Sequence, residues 1–240
     1  MLPGFFKQHF SSSRLKRVRD FVFAEQAVLI AIGIAAALVF AFLEVADEVS
    51  DGETHEIDIA ILEIFRVPGD PNQMIGSFQF QEAVRDITAL GSFSVLTIVV
   101  SSVVIYLLLT RRAAVAVLVA GAVISGALLS DLLKEFFDRP RPEFSAVAGE
   151  LSASFPSGHS MISAVTYLTL GALLARLSER WREKIFFYGV AIVLTILVGT
   201  SRVLLGVHYP SDVVAGWALG AAWALAATAL ASLLRRRGVV

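Results

Sequence analysis

Six apolar runs separated by short polar stretches dominate the hydrophobicity pattern of this 240-residue chain. They cover Ala24–Leu43, Phe93–Leu109, Ala113–Leu133, Ser160–Leu177, Ile185–Ser201 and Val213–Leu234. Crossing a hydrocarbon core takes about 20 helical residues, so each run reads as a membrane span; the second and fifth are short. Nothing alternates apolar and polar positions as a barrel strand does, and lipid requires the backbone to satisfy its own hydrogen bonds. The pattern therefore predicts an all-α fold, a bundle of six transmembrane helices. The first run has the basic prelude of a signal peptide, with small residues at Ala35–Ala37, but its apolar stretch exceeds an ordinary h-region. It is expected to stay as a span.

The one long polar interval, residues 46–92, opens with Asp47, Glu48, Asp51, Glu53, Glu56 and Asp58. Ile57, Ile61, Ile64 and Phe65 then fall at helical spacing, predicting a short amphipathic helix that Pro68, Gly69, Asp70 and Pro71 break. A second helical stretch covers Phe78–Leu90. The interval reads as a lid or head-group guide, or as a cap over the bundle ends. Before the first span, residues 2–23 mix Phe5, Phe6 and Phe10 with basic residues, as a helix lying on an anionic leaflet would.

Composition agrees with the pattern: 56% hydrophobic residues, 17% charged and a mean hydropathy of +0.73 mark an integral membrane protein. Cys is absent, which excludes disulfides and thiolate chemistry. The net charge of -1 conceals a segregation of the 20 basic residues. Lys7, Arg14, Lys16, Arg17, Arg19, Arg111, Arg112, Arg176, Arg180, Arg182, Lys184, Arg235, Arg236 and Arg237 all fall on one side if the spans alternate. The positive-inside rule makes that side, and both termini, cytoplasmic. The expected setting is a bacterial plasma membrane. Gly121 and Ser125, and Gly216 and Gly220, recur at a spacing that permits close helix approach, and Trp181 reads as an interfacial anchor.

Three runs carry the chemistry, and alternation of the spans places them together on the external side. Lys134 and Arg141-Pro142 offer a point charge and a forked guanidinium, a pair suited to clamping phosphate. Pro156-Ser157-Gly158-His159 opens a span, where free N–H groups attract an anion and His159 can donate a proton. Arg202, His208 and Asp212 close the set: the carboxylate can hold one imidazole nitrogen and leave the other as a nucleophile. Each run alone also suits helix capping or snorkelling. Nearby, Asp131 is placed to pair with Lys134, and Arg139 reads as solvated.

Together the three runs resemble, at every fixed position, the signature of the type-2 phosphatidic-acid phosphatase superfamily. That family includes bacterial phosphatidylglycerophosphate and undecaprenyl-pyrophosphate phosphatases and, more remotely, vanadium haloperoxidases. The resemblance implies that His208 attacks phosphorus, oriented by Asp212, and that His159 protonates the leaving oxygen and then activates water. It implies that Lys134, Arg141, Ser157, the Gly158 N–H and Arg202 hold the phosphoryl oxygens, with no metal or other cofactor. The expected partners are a lipid phosphate substrate and the bilayer, with no nucleic acid and no obligate protein partner. The alternatives are a lipid-phosphate binding or transport protein on the same scaffold, or an oxidant using bound vanadate.

Overall fold

The computed structural model describes residues 12–144 and 152–236. Eight helices are present among them: α1 (Ser12–Ser50), α2 (His55–Ile64), α3 (Phe78–Ala89), α4 (Phe93–Leu109), α5 (Ala113–Phe137), α6 (Gly158–Leu177), α7 (Trp181–Leu204) and α8 (Pro210–Arg236). Each expected apolar run lies within a helix. Parts of α1, α5, α6, α7 and α8 are long and apolar enough to cross a membrane. At 17 residues α4 is shorter, about 26 Å at 1.5 Å per residue, and it meets α3 at a 47° bend. The membrane reading also explains the surface: Phe40, Ile98, Leu109, Val117, Leu132 and Phe136 stand exposed, at cost in water but not in lipid.

α6 is the central helix. It packs chiefly against α7 and α8, with α5 on another flank. α4 leans on α5, and α1 lies along α8. Along α6, Ser160, Ser163 and Thr166 are fully buried, which suits tight helix contact in a bundle. α8 comes close to the start of α6: a methyl at Gly216 would lie 2.8 Å from the Ser157 carbonyl oxygen and 2.9 Å from Ser160 Cβ, and one at Gly220 2.5 Å from the Met161 carbonyl oxygen. Gly121 differs from its sequence reading. It meets nothing within 4 Å, and α5 and α8 are joined there by Trp223, whose Nε1 donates to Ser125 Oγ and to the Ala122 carbonyl.

In the interval 46–92, α2 and α3 occupy the stretches the apolar stripes indicate. α2 lies on α8 and α3 on α7. The break between them is a small antiparallel hairpin, β1 (Arg66–Val67) and β2 (Asp70–Met74), not an irregular loop. Arg66 anchors it by donating to the carbonyl of Leu204 at 2.8 Å, at the end of α7. From Ser12 onward the chain is already part of α1; the beginning of the expected surface helix lies outside the described residues.

Candidate active site

The turn between α7 and α8 sets the central pair. Gly206 reverses the chain at φ +71, a conformation few side chains tolerate, and Val207, His208 and Tyr209 lead into Pro210 at the first position of α8. His208 and Asp212 are one helical turn apart and both buried, with Nδ1 3.4 Å from Oδ2. The Asp212 carboxylate is saturated: Arg139 donates to Oδ1 at 2.7 Å, while the Tyr209 N–H at 2.9 Å and the Ser154 hydroxyl donate to Oδ2. On the other edge of the imidazole, Arg141 Nη1 lies 3.3 Å from Nε2. A guanidinium can only donate, so Nε2 carries the lone pair and Nδ1 the proton, shared between Asp212 Oδ2 and Ser154 Oγ at 3.3 Å. Burial lowers the His208 pKa to about 4 against the pull of Asp212, and the charges of Arg202 and Arg141 add to the lowering. The ring is neutral at pH 7, with its lone pair on Nε2.

The cations gather around this ring. α5 ends at Phe137, and Asp138 closes it in the left-handed region at φ 42, which turns the chain toward the site. Arg141 then donates to the Val207 carbonyl at 2.9 Å and to the Ser152 carbonyl and hydroxyl at 2.8 and 3.0 Å. Lys134 reaches Ser152 Oγ at 3.5 Å, and a methyl at Gly158 would lie 3.3 Å from its Nζ. Gly158 thus lets an ammonium rest on the first turn of α6. Ser157 caps that helix, accepting from the Ser160 N–H, and its own N–H donates to the Asp212 carbonyl oxygen at 3.0 Å. One backbone bond therefore ties the start of α6 to the start of α8. His159 follows in the first turn of α6, half-buried, and a methyl at Gly91 would lie 3.3 Å from its Cδ2. Arg202 is buried, with Nη1 donating to Thr88 Oγ1 at 3.3 Å. Lys134, Arg141, Ser157, Gly158, His159, Arg202, His208 and Asp212 thus converge on one end of the bundle.

Two sequence readings change. Among the described residues no ion pair joins Asp131 to Lys134, and Asp131 is exposed. Arg139 is not solvated: its side chain is 11% exposed and bridges two buried carboxylates, Asp212 at 2.7 Å and Asp58 at 2.9 Å, with its guanidinium 4.1 Å over the Tyr209 ring. Asp58 in turn accepts from the Ser211 N–H at 2.9 Å and the Ser211 hydroxyl at 2.5 Å. Helix α2 is thereby wired to the residue that holds His208. Ser154, Asp58 and Ser211 carried no distinguishing signal. The junction of α3 and α4, where Thr88 near the end of α3 touches Arg202 and Gly91 after it touches His159, carried none either.

Comparison with known proteins gives this cluster a context. Phosphatidylglycerophosphatase B of Bacillus subtilis is 45% identical over 94 residues, 39% of this chain and 46% of that protein. A lipid A 1-phosphatase of Rhizobium johnstonii is 38% identical over 114 residues, 43% of this chain and 42% of that protein. The chain thus spans less than half the length of these two curated relatives. The crystal structure of a transmembrane PAP2 type phosphatidylglycerolphosphate phosphatase from Bacillus subtilis superposes more widely. Its TM-score is 0.77 at 30% identity, covering 84% of this chain and 98% of that one. The family model of the PAP2 superfamily matches residues 113–236, the stretch from the start of α5 to the end of α8 that holds all eight converging residues. This chain belongs to the PAP2 superfamily.

Proposed function

We propose that the chain is an integral-membrane lipid phosphatase that removes a terminal phosphate through a phosphohistidine on His208. The observation that carries the proposal is the tautomer: Asp212 and Ser154 take the Nδ1 proton, leaving the Nε2 lone pair facing Arg141. A phosphate drawn in by Arg141, Lys134, Arg202 and the α6 start takes over the guanidinium and releases Nε2 to attack phosphorus. The P–O bond to the lipid breaks as the N–P bond forms, and His159, entering as imidazolium, gives its proton to the departing oxygen. Water then attacks the phosphohistidine and passes a proton back to His159. The N–P bond breaks, and orthophosphate and the starting His208 are restored. Three cations and a helix start neutralise the developing charge, the task a metal performs in other phosphoryl-transfer sites.

The lipid nature of the substrate rests on position. A groove of about 330 Å³ between α4, α5 and α6 is lined by Phe93, Leu96, Val100, Ile124, Ala127 and Ile162. Ile162 lies one turn from His159 and Ala127 two turns from Lys134, so an acyl or prenyl chain in this groove presents its phosphate to the cluster. The relatives named above act on a glycerophospholipid phosphate and a lipid A phosphate, and undecaprenyl pyrophosphate presents the same terminal group. Arg111, Arg112, Arg176, Arg180, Arg182, Lys184 and Arg235 at the opposite end of the bundle support a cytoplasmic position for that end, with the cluster facing the periplasm or exterior. The test is orthophosphate release from a panel of these lipids by purified protein, with and without EDTA, beside His208→Ala. Release that survives the chelator and disappears in the variant is expected. Equal release by the variant contradicts the proposal.

A further inference from the structure

At the end of the bundle away from the motif cluster, helices α1, α6, α7 and α8 enclose a cavity of about 560 Å³. Its wall brings together cations from three helices: Arg176 of α6, Lys184 of α7 and Arg235 of α8. Among the described residues no carboxylate lines it. Arg176 is held in place by two bonds from Nη2, to the Thr228 carbonyl at 2.9 Å and to Ser232 Oγ at 2.6 Å. Both bonds use one nitrogen, so Nη1 and Nε are left without a partner among the described residues. Lys184 and Arg235 likewise form no ion pair among the described residues; the nearby Glu183 turns to Arg180 instead. The rest of the wall includes apolar side chains, Val28 and Leu225 among them.

Three like charges around one space repel unless an anion joins them, and an apolar wall beside them favours an anion with a hydrocarbon tail. The depth identifies which lipid can reach it. Arg176 lies 17 residues along α6 from His159, about 26 Å at 1.5 Å per residue, so the two ends of this helix meet different leaflets. We propose that this cavity binds the phosphodiester head group of an anionic phospholipid from the leaflet opposite the motif cluster. Such a lipid joins α6, α7 and α8 at one end, the helices that carry His159, Arg202 and Asp212 at the other. The inference does not depend on the phosphatase reading.

The test measures thermal stabilisation and native-mass adducts of the full-length detergent-purified protein with phosphatidylglycerol, phosphatidylcholine or inorganic phosphate. Phosphatidylglycerol is a phosphodiester without a terminal phosphate, so turnover does not interfere. Saturable stabilisation by phosphatidylglycerol alone is expected, weakened about tenfold in a Lys184→Gln/Arg235→Gln variant. A paired Arg180→Gln/Arg182→Gln variant, which removes two charges outside the cavity, should bind as wild type. An equal response to phosphatidylcholine rules out head-group recognition. An equal response to inorganic phosphate leaves a simple anion site. Equal weakening in the two variants reduces the effect to surface charge. Any of these outcomes overturns the proposal, and the lipid comparison on wild type stands even if a variant does not fold.

Discussion

Replacing Asp58 by Asn tests whether helix α2 acts on the chemistry or merely covers it. Asp58 is buried and lies two side chains away from His208, its charge reaching Asp212 through Arg139. Asparagine keeps the size and an acceptor for the Ser211 N–H but loses the negative charge facing Arg139. A hydrogen bond to a charged group contributes about 1.5–3 kcal/mol and a neutral one about 1 kcal/mol, so the expected loss is about 0.5–2 kcal/mol. Expressed in the transition state, that is a fall in kcat of roughly 2–30-fold, with KM nearly unchanged because Asp58 touches no substrate. The assay is steady-state orthophosphate release on folded protein, in wild-type and Asp212→Ala backgrounds. If Asp58 works through Asp212, the second substitution adds little in the Asp212→Ala background. Wild-type kcat for Asp58→Asn, or a full additive loss in the Asp212→Ala background, refutes the reasoning.

Gly216→Ala should lower the thermal midpoint and the turnover together, because its methyl meets the Ser157 backbone at 2.8 Å and forces α8 off the start of α6, whereas Gly121→Ala, with nothing within 4 Å, should change neither. Thermal unfolding monitored by tryptophan fluorescence separates the two. Stability should also depend on pH through His208. Its folded pKa of about 4 lies below the unfolded value of 6.5, so the unfolded chain binds a proton that the folded protein refuses between those values. Stability is complete above about pH 6.5 and declines as pH falls toward 4, by an amount on the order of 3 kcal/mol. The thermal midpoint of wild type should drop across that window more than that of His208→Gln. Ser154→Ala, which removes one acceptor of the Nδ1 proton, should reduce kcat about tenfold and leave the fold intact.

Much of this was legible in the chain because lipid imposes a length on apolar runs. The six runs found their helices, and the isoleucine stripe at 57, 61 and 64 found α2. The hairpin at residues 66–74 was not legible, since strands of two and five residues carry too little alternation to outweigh Pro68-Gly69. The eight motif residues were readable as a set because the three runs that carry them resemble a family signature. Arg139 was misread for a physical reason: an Arg beside Pro at a helix end usually faces water, and its partner Asp58 lies 81 residues earlier. No local pattern records such a pairing. Gly121 shows the converse, since a small residue permits close approach without saying that a neighbour takes it.

The central claim is that the phosphoryl group passes through His208, and it is tested by trapping the covalent intermediate. His159→Ala should still accept phosphate from a diphosphate lipid, whose leaving group needs little protonation, but should hydrolyse the phosphohistidine slowly. After acid-free quenching and digestion, peptide mass spectrometry should find an acid-labile phosphate on His208 and none in His208→Ala. Phosphate on another residue, or continued turnover by His208→Ala with no labelled peptide, contradicts the account.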